Sequence, residues 1–234
     1  MKSFHADVDG EQLYCNLHLP AGRLVQGEGI VLCPPLGHEY YRAYRALARL
    51  ADHLASRGHV VARFDYRGQG ESSGNAGGYT LQDHVRDAAT IAAEVRRAGS
   101  LERIAWLGMR YGAVVAARAA REDADSRVIF WEPLASGADW LRSLDALNRR
   151  VLGDLDRFAD ERSIADCAHT ELVGYIYGSA LLDDVRGFDA AAVDDAGLLE
   201  TRKDYGWEDE RRISEIIVDP AVNRAAEALF REAA

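Results

Sequence analysis

The sequence predicts an α/β fold, a mostly parallel doubly wound sheet with an N-terminal antiparallel hairpin and a small cap insertion. Three observations carry that expectation. An Asp-Gly pair separates two alternating apolar runs at the start of the chain. From residue 29 to residue 131, short apolar runs alternate with longer segments of helical spacing, as right-handed strand–helix–strand crossovers require. After Glu132 that rhythm breaks, and it resumes only near residue 190.

The elements follow in order. Lys2–Val8 and Leu13–Leu19 alternate around Asp9-Gly10, and Pro20 and Gly22 close the hairpin. Gly29–Cys33 is a continuous apolar run ended by Pro34-Pro35, which fits a strand buried on both faces. Leu47, Leu50, Ala51 and Leu54 give residues 40–57 helical spacing, and Gly58 is a natural stop. His59–Phe64 reads as a strand and residues 66–79 as a glycine-rich loop. Thr80, with Asp83 three positions on, marks the start of a helix over residues 81–97. Arg103–Leu107 is a strand, Tyr111–Arg121 an alanine-rich helix, and Arg127–Trp131 a further strand. Residues 138–152 look helical, 171–177 extended and 179–186 helical. Leu198–Arg202 and Ile213–Val218 read as two more strands, and Asp219-Pro220 opens a closing helix that runs to Ala233. The expected division is a core of residues 1–133 and 190–234 with a cap of residues 134–189.

Composition narrows the class. Hydrophobic residues make up 48% of the 234, which supports one sizeable core and excludes general disorder. The 28 basic against 38 acidic residues leave a net charge of −10, which argues against a nucleic-acid partner. Only Lys2 and Lys203 are lysines, a bias of composition and not of chemistry. The first residues carry no apolar segment and no run approaches the length of a membrane span, so neither a signal peptide nor a span is expected. Cys15, Cys33 and Cys167 are odd in number and widely spaced, against a disulfide framework or a thiolate zinc site. No motif calls for a cofactor or a metal. The expected location is cytoplasmic.

In a sheet of this kind, ligands bind at the carboxyl ends of the strands. Four such ends carry unusual residues: Pro34–Glu39, Asp65–Ser72, Gly108–Gly112 and Trp131–Pro133. Gly108-Met109-Arg110-Tyr111-Gly112 lies between a strand and an alanine-rich helix. That is the frame of a nucleophile elbow, in which paired glycines permit a sharp turn that projects the middle residue. Asp65-Tyr66-Arg67-Gly68-Gln69-Gly70-Glu71-Ser72 resembles the Asp-x-Arg-Gly-x-Gly-x-Ser loop of the same superfamily, and Pro34–Glu39 resembles its oxyanion loop. On these three motifs the chain resembles the α/β-hydrolases of the serine-aminopeptidase-like group. Within that group it is similar to bacterial hydrolase-like proteins associated with the exosortase A system, through Leu32–Glu39, Gly108–Ala113 and Trp131–Gly137. The resemblance covers about residues 25–190. It implies the α/β-hydrolase fold and an oxyanion hole built from the backbone N–H groups of Leu36 and Tyr111. Gly37, Glu39, Met109 and Trp140 are the candidate substrate contacts.

The departures from that family are chemical. The nucleophile position holds Arg110, whose guanidinium stays protonated and cannot attack an acyl carbon. The family's catalytic histidine follows the last strand, yet residues 170–234 contain none, and the last histidine is His169. Glu200 or Asp204 offers an acid, but an acid alone has no triad role. Serine-triad acyl transfer is therefore not expected.

Two readings of Arg110 stay open. One is an ion pair with Glu132, at the end of the neighbouring strand, that fills the old site and neutralises a buried charge. The other is a guanidinium facing the cavity and holding a carboxylate or phosphate, helped by the amino end of its helix. His38 is either a general base oriented by Glu39 or Glu132, or a loop histidine that holds its turn. The candidate catalytic set is thus Arg110, His38 and Glu132. Gly68, Gly70 and Gly74 do not form a dinucleotide cradle, because about ten residues separate Gly70 from the next helix. Cys33 reads as a small core residue and Asp65 and Arg67 as loop braces, while Trp140, Tyr175 and Tyr177 line the cap's underside or its core.

Three functions remain compatible with these residues. The first is an enzyme without a serine triad that takes an anionic or acyl-bearing substrate for hydrolysis, lyase or isomerase chemistry. The second is a non-catalytic descendant that binds a small molecule. The third is an interaction module, a homodimer or a partner of a true hydrolase or of an exopolysaccharide or protein-sorting assembly.

Overall fold

The computed structural model describes residues 1–22, 24, 27–154, 170–193, 197–199, 207 and 220–231. β1 (Lys2–Val8) and β2 (Glu11–His18) form the expected hairpin. Asp9 (φ 54°) and Gly10 (φ 83°) both take positive φ, the turn geometry whose twist matches that of paired strands. β3 (Glu28–Cys33), β4 (Val61–Phe64), β5 (Arg103–Met109), β6 (Arg127–Trp131) and β9 (Gly197–Leu199) run parallel. The seven-stranded order is β1, β2, β4, β3, β5, β6, β9, with the antiparallel hairpin at one edge. β7 (Thr170–Leu172) and β8 (Tyr175–Tyr177) form a separate hairpin.

Helices cover both faces because the central strands are apolar on both. Ile30, Leu32, Ala105 and Leu107 point to one side and pack with α1 (Gly37–Ser56) and α6 (Pro220–Arg231). Val31, Cys33, Ile104 and Trp106 point to the other and pack with α2 (Leu81–Gly99) and α3 (Tyr111–Arg121). Thr80 caps α2 reciprocally with Asp83, as their spacing implies. α4 (Gly137–Leu152), the β7–β8 hairpin and α5 (Ser179–Arg186) lie in sequence between β6 and β9. Trp140, Leu144 and Tyr177 from that insertion share a core with Leu36 and Tyr111, which seats it over the carboxyl ends of β3 and β5.

Three local differences from the sequence reading matter. α1 begins at Gly37, a turn earlier than residue 40, because Pro34 and Pro35 end β3 and Leu36 caps the helix in extended conformation. The first turn closes with the Tyr40 N–H donating to the Leu36 carbonyl at 3.3 Å. His38 and Glu39 therefore sit on a helix and not in a loop. β5 continues to Met109, so Arg110 alone joins it to α3. Residues 171–177 are not one extended piece, since Val173 (φ 56°) and Gly174 (φ 78°) fold them into a hairpin. Of Leu198–Arg202, the described part is strand as far as Leu199, while Ile213–Val218 and Asp219 lie outside the described residues. Among the described residues, no helix is long and apolar enough to cross a membrane.

Candidate functional site

The elbow backbone is fully formed. Arg110 takes φ 53° and ψ −120°, a region that costs a non-glycine residue about 1–3 kcal/mol and that persists only where the surroundings enforce it. The enforcement is visible. The Arg110 N–H donates to the Trp131 carbonyl at 3.3 Å, and its carbonyl accepts from the Ala113 N–H at 3.0 Å. α3 then crosses β3 so closely that a Cβ at Gly112 would collide with the Cys33 and Pro34 carbonyls, and one at Gly108 with Gly112 and Ala113. The sharp turn between β5 and α3 thus presents a guanidinium.

That guanidinium is committed. Its Nε and Nη2 donate to Glu39 Oε1 at 3.1 and 2.8 Å, and the Trp140 indole N–H donates to the same oxygen at 3.3 Å. The Trp207 ring lies against it, 5.2 Å from ring centre to guanidinium carbon. The Glu39 side chain is 2% exposed and that of Arg110 15%. Between His38, Glu39, Arg110, Trp140 and Trp207 about 10 Å³ stays free, roughly the space of one water. Ser143, which lines this site, donates its hydroxyl to the Trp140 carbonyl at 2.9 Å.

The structure thus brings together Arg110, His38, Glu39 and Trp140, but not every candidate. Glu132 is not the partner of Arg110, because the early start of α1 delivers Glu39 to the guanidinium first. Met109 is fully buried on the α1–α6 side of the sheet. Gly37 is held at φ 57°, and a Cβ there would strike the Tyr177 hydroxyl. His38 Nε2 lies 3.3 Å from the Trp207 carbonyl, and its buried Nδ1 has no hydrogen-bond partner among the described residues. Burial lowers its pKa and favours the neutral ring. Leu36 and Tyr111, the expected oxyanion-hole pair, are both buried where α1 and α3 begin. His169, Glu200 and Asp204 lie outside the described residues.

Tyr111 is anchored by His84, whose Nδ1 is 2.8 Å from the phenol oxygen and whose ring stacks on Tyr66 at 4.5 Å. Burial, partly offset by Asp83, pushes the His84 pKa down to about 3 from the ordinary 6.5. The unfolded chain binds the extra proton throughout that window, so the stability His84 contributes is present above about pH 6.5 and lost as pH falls towards 3. Asp87, pushed up to about 6 by burial, acts oppositely, and its contribution is lost as pH rises towards 6. His84→Gln is expected to flatten the fall in urea midpoint between about pH 7 and about pH 5. An equal fall in both proteins would contradict this assignment.

A second feature was not read from the sequence. A cleft of about 870 Å³ opens beside the filled site, between the first turns of α1 and the loop after β4, with Tyr14 and Tyr175 on its walls. The loop is braced from beneath, because Arg67 Nε donates to Asp87 at 2.7 Å and the Arg67 N–H to the same carboxylate at 2.9 Å. The signal that announces the cleft is the run Tyr40-Tyr41-Arg42-Ala43-Tyr44-Arg45, which helical spacing alone assigns to a solvated face.

The sequence model of the family described as serine aminopeptidase, S33, matches residues 29–172. The chain belongs to that family. Among solved structures, an α/β serine hydrolase without a lid from Xanthomonas campestris is 24% identical over 57% of this chain and 62% of that one, with a TM-score of 0.50. An α/β serine hydrolase homologue from Coxiella burnetii is 24% identical over 56% and 62%, with a TM-score of 0.49. A proline iminopeptidase from Mycobacterium smegmatis is 19% identical over 68% and 54%, with a TM-score of 0.49. At such identities the likeness is one of fold. The chain spans less than two thirds of the length of each of these proteins. No curated protein matches it.

Proposed function

We propose that this serine-aminopeptidase-family chain binds a small molecule without cleaving it, on a hydrolase frame whose nucleophile pocket is closed by an ion pair. The observation that carries the reading is the Arg110–Glu39 pair at the apex of an intact elbow. A protonated guanidinium offers no lone pair for acyl attack, and Glu39 Oε1 accepts three N–H bonds from Arg110 and Trp140. An anionic or acyl-bearing ligand reaches Arg110 only by displacing Glu39, from a site with about 10 Å³ to spare. Ligand binding therefore belongs to the neighbouring cleft, with residues 134–189 as the cap beside it. Non-serine hydrolase or lyase chemistry through His38 has less support, since among the described residues neither Glu39 nor Glu132 is hydrogen-bonded to His38. The buried free thiols of Cys15 and Cys33 support a reducing, cytoplasmic setting. The resemblance to exosortase-associated proteins keeps a protein partner as the alternative role.

The test is turnover of a panel of activated esters, thioesters and aminoacyl amides by the wild type and by His38→Ala. The expected result is no hydrolysis above the uncatalysed rate from either protein. Turnover that His38→Ala abolishes would overturn the reading and establish a triad-independent enzyme.

A further inference from the structure

The cleft beside the filled site has a lining whose chemistry selects among ligands, and this inference rests on the reading of the chain as a binder. We propose that it receives a neutral, polyhydroxylated ligand, an oligosaccharide chain lying along α1.

Of the twelve lining residues five are tyrosines and none is aliphatic, so the apolar surface of the cleft is made of flat aromatic rings. Its charged residues are Arg42, Arg45, Asp65 and Glu71, two of each sign, so no net charge draws an anion or a cation. What remains is a set of phenol rings interleaved with the planar side chains of Arg45, Gln69 and Glu71, while Arg42 stacks on Trp207 and Asp65 already accepts from Tyr40 and Glu71. Phenol faces pack against the C–H faces of a pyranose ring, and planar groups with two polar atoms match a pair of adjacent hydroxyls. A volume of about 870 Å³ admits several sugar residues.

The cleft is also preorganised. The Tyr40 hydroxyl donates to Asp65, and the other carboxylate oxygen of Asp65 accepts from the Glu71 N–H at 2.9 Å. Tyr40 meets Tyr44 edge to face at 5.9 Å, and the Arg63 guanidinium backs the Tyr44 ring at 5.1 Å. Tyr41 is nonetheless 69% exposed and Tyr44 42%, aromatic surface left to water next to a fixed polar wall. Groups held in place before binding lose less conformational freedom when a ligand arrives.

The experiment titrates the full chain with neutral hexasaccharides of glucose, mannose, galactose and N-acetylglucosamine, with inorganic phosphate, octanoate and a blocked tetrapeptide as comparators, followed by calorimetry. The expected result is binding of at least one hexasaccharide with a Kd below about 1 mM. Tyr41→Ala and Tyr175→Ala each weaken that binding by about tenfold, and the exposed Tyr41→Ala does so with an unchanged Tm. The proposal fails if no hexasaccharide binds at about 10 mM, if both variants bind as the wild type does, or if a comparator binds in a Tyr41-dependent way. The hydrolysis panel reads the filled site instead. A protein silent in both experiments would keep the binder without its sugar, and turnover would remove the binder itself.

Discussion

Glu39→Leu is expected to lower the unfolding free energy by about 3 kcal/mol, because it leaves the Arg110 guanidinium buried without its counter-charge. The same substitution strips the acceptor from the Trp140 indole N–H, so the loss is not confined to one pair. Removing both charges changes the sign of the argument. Glu39→Leu with Arg110→Met replaces the pair by apolar groups of similar size, and such replacements are often neutral or stabilising. The double variant should therefore recover most of what the single one loses. Urea denaturation of the three proteins at a common pH gives the comparison. A single variant within about 0.5 kcal/mol of wild type, or a double variant as unstable as the single, would show that the pair does not organise the site.

Gly112→Ala is expected to cost about 3 kcal/mol or more, through a different cause. The added methyl group would meet the Cys33 and Pro34 carbonyls, which are fixed by β3 and by two prolines and cannot rotate away. Relief requires moving α3 off the sheet, which breaks the elbow and the core behind Tyr111. Gly10→Ala is the control. Its positive φ costs roughly 1 kcal/mol, but nothing lies within 4 Å of the new atom. The ratio of the two losses, read from thermal or urea unfolding, separates close packing from backbone strain. Equal losses would mean that α3 does not press on β3 as described.

The positions of the strands were legible because they follow from local pattern. Apolar runs such as Gly29–Cys33 and the alternation around Asp9-Gly10 carry their burial in the sequence itself. Tyr111–Arg121 begins and ends where its glycine and alanine spacing puts it. The partner of Arg110 was not legible, because it depends on where α1 starts. One extra turn moves Glu39 from a loop onto a helix and into the site, and no propensity rule places that boundary so finely. Trp207 reaches the guanidinium from a position 97 residues further along the chain (207 less 110), a distance over which sequence pattern says nothing. The cleft was missed for the same reason. Its walls come from β2, α1, the loop after β4 and β8, and only folding brings them together.

Covalent labelling tests most directly whether the nucleophile pocket is closed. The purified protein is exposed to excess fluorophosphonate, a reagent that phosphonylates activated serines, and its intact mass is then measured. An unchanged mass is the result expected for a site filled by Arg110, Glu39, Trp140 and Trp207, with the Ser143 hydroxyl bound to the Trp140 carbonyl. A stoichiometric adduct that maps to Ser143, or to another serine and is lost in His38→Ala, would mean that an activated nucleophile exists and that the ion pair does not close the site.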